Sequence, residues 1–513
     1  MRNRKLRLLS LLLATVMMLG LLAGCNSSGG GDKKGSDGGK KDSIVIATMS
    51  ETPSLSPYDH NATAGSYMNL LTYSTLFNTD VEMNPQPNLV ESYENTSETE
   101  WVFKLKQGVK FHNGDEMKAE DVVASIEYGK TCAEVNLYNQ CVDTIEAVDE
   151  YTIKITTPGP SAVLLNHLCH HGNAIVPKKL LDEGHDFATD PVGSGPYKFV
   201  SWKRGDSLEF EAFEDYFDKD HMPSIKHMTW KIIPEGSSRT IALEAGEVDF
   251  VVEVEAMDAE RIESNSDLTL LQHDSTNHMW MMLNNEKPGL SNVDVRRAIN
   301  SVVNKENIVT VALNGMGVAS YSQTPSNLEG ATEEKSEKYD VEQAKKYMEQ
   351  SGVDPSTIQL SIICSNDQKK RAAEVIQSDV ATLGIDATIE SMDLATYLST
   401  TAEGNYTAAI GNYSASNMLS YLTGVYHSKS IGGANTTRLN DPEVDALIDQ
   451  AAATVDPEAR EVVLKQATVR LNELCSQATL YQSVLLRAYD SDLQGVAINA
   501  GGHIRFEDIS WKA

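Results

Sequence analysis

The sequence is short of positive charge: 43 Lys and Arg stand against 73 Asp and Glu in 513 residues, a formal net charge of −30. Nucleic acids and anionic lipid surfaces reward clusters of Lys and Arg, so this balance argues against either as a partner; an acidic, solvated surface accounts for it. Catalytic anchors are missing too. GxSxG, HExxH, paired CxxC, GxGxxG and the P-loop pattern are all absent, which leaves a hydrolase, a zinc peptidase or an ATPase without a nucleophile, a metal site or a phosphate cradle to start from. An RGD at Arg204 to Asp206 is three residues in a polar loop and reads as chance. Beyond Leu22 no apolar run is long enough to cross a bilayer.

What is present begins with a targeting segment. Arg2, Arg4, Lys5 and Arg7 precede an apolar run from Leu8 to Leu22, and Leu22-Ala23-Gly24-Cys25 resembles a bacterial lipobox. Residues 1–24 therefore read as a signal peptide whose removal leaves Cys25 as a lipidated N-terminus, fixed at the outer face of the cytoplasmic membrane by more than one acyl chain. Residues 25–43 hold nothing apolar to bury after Cys25 and read as a flexible tether spanning about 20 to 25 Å. Removing 24 of 513 residues leaves 489, enough for several domain-sized units. Of the six cysteines, Cys132, Cys141, Cys169, Cys364 and Cys475 remain, an odd number, and spacing alone leaves disulfide and buried thiol equally open.

The most informative stretch is Trp101 to Tyr128. Trp101, Phe103 and Leu105 alternate with polar or outward residues, the period of a strand with one buried face, and Gly108 ends it. A second strand is expected over Val109 to Phe111, a turn at His112 to Asp115, and a helix opened by Glu120 and Asp121 with Val122, Val123 and Ile126 on one face. These residues resemble the signature of the extracellular solute-binding proteins of family 5, the peptide and nickel receptors of ABC importers: Trp101, Phe103 to Phe111, His112 to Gly114, Ala119 to Val122 and Ser125. Lys118 stands where that family usually has a capping Thr, a loss of about 1 kcal/mol.

Further blocks follow in the family's order. Ser54, Leu55 and Pro57 match an S-L-x-P loop after a strand at Ser43 to Met49, and Asp190 to Trp202 resembles P-V-G-[TS]-G-P-Y before a strand. Helices are expected at Tyr67 to Phe77, Ser161 to Leu168 and Val293 to Val309, and alternating helices and strands from Asp340 to Ser391 argue for an α/β lobe. His167, Cys169, His170 and His171 look metal-like, but adjacent histidines point apart in a helix or a strand, so core or cleft wall is the better reading.

The resemblance implies an α/β fold of two lobes, type II periplasmic-binding-protein-like, with the first lobe at 44–76, 189–277 and 487–513, an accessory domain at 77–188 and the second lobe at 278–486. It implies a monomeric, non-enzymatic binding protein without cofactor or metal, closing on a solute by a hinge near 277 and 486 and delivering it to a permease driven by ATPase subunits. Ser54 and Leu55 on the first lobe, Trp280 at the hinge, Ile410, Gly411, Asn412 and Tyr413 on the second, and Tyr481 beside the return crossing are the implied ligand contacts. Backbone groups of 410 to 412 would pair with an extended peptide as an added strand. Peptide-binding relatives carry an Asp for the ligand's α-ammonium where this chain has Asn412, and no acidic residue occurs from Asn405 to Leu439. A dipeptide or oligopeptide is the expected solute; a sugar, a metal complex or another metabolite stays open, as does a surface-anchored hydrolase or adhesin.

Overall fold

The computed structural model describes residues 41–512. The signal segment, Cys25 and the tether through residue 40 lie outside the described residues. Eleven strands join in one sheet: β1 (Ser43–Thr48), β2 (Tyr197–Lys203), β3 (Ser207–Ala212), β4 (His227–Ile232), β5 (Phe250–Val251), β6 (Leu268–Leu283), β7 (Gly317–Ala319), β8 (Leu360–Cys364), β9 (Ala387–Ser391), β10 (Ala408–Tyr413) and β11 (Gln477–Asp490). Their order is β9-β8-β10-β6-β11-β5-β1-β4-β3-β2, with β7 also on β11. The long antiparallel pair β6 and β11 joins the two halves. Residues 278–283 of β6 hold β10, and residues 488–489 of β11 hold β5. Their register breaks between Asp274 and His278 and again between Met279 and Trp280.

Beyond β10 the sheet is parallel: β8 lies between β9 and β10, with helix Asp367–Ala381 crossing from β8 to β9. Apolar residues between 279 and 481 fill the cores on both faces of this half. The other half is closed by a core drawn from 44–71, 197–252 and 489–509. A separate four-stranded sheet, Val90–Asn95, Glu100–Leu105, Thr152–Thr156 and Thr144–Asp149, carries its own core with Trp101, Phe103 and Leu105 inward and helix Ala119–Thr131 against it. None of the helices among the described residues is long and apolar enough to cross a membrane.

Two of the recognised motifs meet in space. Gly193 N and Gly195 N belong to a turn pressed on the end of helix Thr63–Thr72, where Gly195 N donates to Thr72 O at 2.9 Å. The His112 Nε2–H donates to Gly195 O at 3.0 Å, and His112 N donates to Gly193 O at 2.7 Å. Burial holds this imidazole neutral, with its pKa lowered to about 4. This contact also corrects one expectation: the helix placed at Tyr67 to Phe77 ends at Thr72, because the turn takes the Thr72 carbonyl and Ser74 Oγ donates to Ser194 O at 3.1 Å.

Three more expectations are corrected. Val109 to Phe111 forms only a single bridge, Lys110 to Glu116. The helix placed at Val293 to Val309 is two, Val293–Val302 and Lys305–Leu313, because Asn304 turns its side chain onto Asn307 N at 3.0 Å and starts a new helix. The helix at Ser161 to Leu168 shrinks to Leu164–His167. At Lys118 the missing Thr is offset by Asp121, whose carboxylate accepts from Lys118 N and Lys178 N, each at 2.7 Å. All five described cysteines are unpaired thiols.

Candidate functional site

β6 and β10 bring part of the implied site together. Trp280 pairs with Gly411, Met279 with Asn412 and His278 with Tyr413. A methyl group at Gly411 would sit 1.8 Å from Met282 Cε, the end of a flexible side chain that would have to move aside. Asn412 is exposed and donates from Nδ2 to Asn277 Oδ1 at 3.0 Å; Asn277 Nδ2 donates onward to Ser483 Oγ at 3.3 Å. The row is made of amides and a hydroxyl, without a charged member. β10 pairs with β8 only at Ala408 and Ala409; from Ile410 onward its outer edge has no strand partner, the Tyr397 hydroxyl donates to Ile410 O at 2.7 Å, and the strand reaches solvent at Asn412.

Other implied residues turn away from this surface. Trp280 is 1% exposed, packed beside Tyr421 in the core, and its indole N–H has no partner among the described residues. The side chains of Ile410 and Tyr481 enter the core on the opposite sheet face. Burial pushes the Tyr481 phenol up to about 12. Ser54 and Leu55 lie in the loop after β1: Ser54 Oγ donates to Asp59 Oδ2 at 2.9 Å, and Leu55 packs in the core drawn from 44–71, 197–252 and 489–509, with its carbonyl accepting from Tyr73 OH at 3.1 Å.

A second aromatic group is one that periodicity does not announce. Burial raises the Tyr413 phenol, whose ring meets Tyr421 edge-on at 5.9 Å. Tyr138 accepts from Asn61 Nδ2 at 2.9 Å and stacks at 3.4 Å on His170, whose Nε2–H donates to Asn61 Oδ1 at 3.2 Å. Burial keeps His170 neutral, its pKa lowered to about 2. Behind the strand pair His278 is wholly buried between Tyr421 OH and Ser320 Oγ, both at 2.8 Å, and is neutral for the same reason. Among the described residues no group of three or more His, Cys, Asp or Glu could hold a metal ion. What the surface offers is neutral hydrogen bonding, aromatic faces and an open strand edge, which suits reversible binding.

Residues 84–433 match the bacterial extracellular solute-binding proteins, family 5 Middle. The glutathione-binding protein GsiB of Pectobacterium atrosepticum is 26% identical over 482 residues, 90% of this chain and 93% of its own length. Among solved structures, HbpA2 from Haemophilus parasuis superposes with a TM-score of 0.85 at 23% identity, covering 92% of this chain and all of its own. The periplasmic binding protein DppA from Helicobacter pylori, in complex with the peptide STSA, gives 0.73 at 22%, covering 92% and 99%. The structural likenesses speak for the two-lobed, type II fold, and the family match spans most of the chain. The chain belongs to the extracellular solute-binding proteins of family 5 and is the substrate-binding subunit of an ABC importer, a binding protein that works with a permease and an ATPase and not an enzyme.

Proposed function

We propose that the solute is a short peptide, bound between a first lobe (44–76, 189–277 and 487–513, with 77–188 as its accessory domain) and a second lobe (278–486). The observation that carries this reading is the outer edge of β10 beyond Ala409, which has no strand partner and comes to the surface at Asn412. An extended peptide adds to such an edge through main-chain hydrogen bonds, with side chains falling into flanking pockets. Tyr413, edge-on to Tyr421, and the stack of Tyr138 on His170 are aromatic faces for those side chains. The division into lobes is supported by the separation of the cores, and β6 with β11 is the pair through which a hinge would act. The two sides touch where Ala162 N donates to Ala452 O at 3.2 Å. GsiB is named for glutathione and DppA was solved with a peptide, so glutathione and tetrapeptides head the panel to be tested.

A non-peptide solute is the second reading, favoured by the neutral Asn412, Asn277 and Ser483 row. Thermal unfolding of the detergent-solubilised chain against peptides, glutathione, oligosaccharides and nickel complexes decides between them. A ligand at a hundredfold excess over Kd adds about 2.7 kcal/mol. A shift with peptides alone supports the first reading; a shift with another class alone refutes it. Anchoring through lipid on Cys25 belongs to the same proposal. Intact-mass analysis should find diacylglyceryl on Cys25, and Cys25→Ala should release the protein from the membrane fraction.

A further inference from the structure

A cavity of about 340 Å³ lies apart from the strand edge, between the end of helix Thr63–Thr72 and the segment 495–508, and none of the eight implied ligand contacts lines it. Its floor holds Asn69, 1% exposed, with neither Oδ1 nor Nδ2 hydrogen-bonded among the described residues. His171, 7% exposed, also lines it, with Nε2 unpartnered. Leaving such groups unpaired costs about 1 to 3 kcal/mol each, so their presence in a lined cavity calls for a partner. The remaining wall is mixed: Leu71, Tyr216 and Phe506 give it apolar and aromatic surface, Thr75, Asn88 and Asn499 are among its polar members, and the exposed Val81 and Ala497 open it to solvent.

The charges at its rim are spent. Asp80 accepts from Asn84 N at 2.8 Å and Gln86 Nε2 at 2.9 Å, and Glu507 and Asp508 are paired with Arg505 at 3.0 and 3.5 Å. His171 is neutral, its pKa lowered by burial to about 3, and burial lowers His503 as well. An anion would therefore be buried without a free cation, which is costly, and the unpaired amide of Asn69 suits a neutral partner. An Asn amide with both ends free presents one acceptor and one donor side by side. It is satisfied by two parallel hydrogen bonds from a group that carries N–H and C=O on one edge. Primary carboxamides and lactams do; a trans secondary amide turns them to opposite sides.

We propose that this cavity is a second binding site, for a small uncharged molecule with a carboxamide or lactam edge, such as a nucleobase, held by Asn69 with His171 beside it. Asn69 Oδ1 accepts the ligand N–H and Nδ2 donates to its carbonyl. The volume sits at the small end of ligand pockets, room for one ring and not for an oligopeptide.

Titration calorimetry of the detergent-solubilised full chain with uracil, 2-pyrrolidone and nicotinamide tests it. At least one should bind saturably at millimolar or lower concentration. Asn69→Leu, which removes two unpaired polar atoms and so should fold at least as stably, should weaken that binding about tenfold or more. Asn412→Ala at the strand edge should leave it unchanged, which separates this site from the peptide reading. Ala497→Trp at the exposed rim should block entry and serves if Asn69→Leu misfolds. No binding by any of the three probes, or binding that survives both Asn69→Leu and Ala497→Trp, overturns the proposal.

Discussion

Replacing Gly195 by Ala tests whether the turn that joins two motifs is held as closely as it looks. A methyl group at Gly195 would sit 2.4 Å from the Leu71 carbonyl oxygen, 2.6 Å from the Thr72 carbonyl carbon and 2.8 Å from the Tyr73 nitrogen. All three are backbone, so no rotamer change relieves the clash. The turn must withdraw, and withdrawal breaks Gly195 N to Thr72 O and His112 Nε2 to Gly195 O. Overpacking costs about 1 to 3 kcal/mol and each lost hydrogen bond about 1, so the variant should lose about 3 to 5 kcal/mol. That is a large share of the ~5 to 15 kcal/mol that holds a domain together. Urea unfolding followed by tryptophan fluorescence measures it. Gly159→Ala is the control, since a methyl there meets nothing within 4 Å, and should stay within about 0.5 kcal/mol of the parent. If Gly195→Ala matched that control, the close approach of turn and helix, and the role given to His112, would both be wrong.

Acid should destabilise the fold through its buried neutral histidines. Folded pKa values of about 4 for His112 and about 3 for His278 lie below the ordinary 6.5, so between pH 6.5 and about 4 the unfolded chain binds more protons. Stability is complete above 6.5 and falls below it, each such group adding up to about 1.4 kcal/mol per pH unit; a flat urea-unfolding profile across that window would contradict their neutral burial. Asn412→Asp should tighten a peptide with a free α-ammonium about tenfold and leave its N-acetylated form unimproved, because a charge-assisted bond is about twice as strong as a neutral one. Equal calorimetric changes for the two peptides would remove Asn412 from the ammonium end. Asp121→Ala should cost about 2 to 4 kcal/mol in urea unfolding, since its carboxylate caps Lys118 N and holds Lys178 N and the residue is 8% exposed. A loss under about 0.5 kcal/mol would mean water replaces both bonds.

Much of the fold could be read from residue patterns, and the misreadings have local causes. Trp101, Phe103 and Leu105 announced their strand because alternation and burial agree there. Asp441 and Asp456 each accept from a first-turn N–H, Val444 N at 3.0 Å and Ala459 N at 2.9 Å, before a Pro-started helix. The helix beginning at Thr63 was misplaced because its end is set by Gly195, distant in sequence, and not by its own apolar spacing. The split at Asn304 was missed because an Asn inside an apolar period reads as one more polar position until its side chain is seen to cap.

The site divides in the same way. Motifs in order were enough to identify a family 5 solute-binding protein, because each block fixes a turn, a strand entry or a cap by local chemistry. The shortage of Lys and Arg argued against nucleic acid, and the absence of a carboxylate from Asn405 to Leu439 marked the neutral character of the edge at Asn412. Only the tertiary structure set Asn277 against Asn412, stacked His170 on Tyr138, and turned Ile410 and Tyr481 into the core beside a strand edge without a partner. It alone left the Asn69 amide without a partner among the described residues, in a cavity lined in part by residues more than 400 positions away. Those relations depend on which strands become neighbours and which faces they bury. Side-chain spacing along one chain carries the period of a strand or helix, while the choice of partner is made by packing the whole sheet at once.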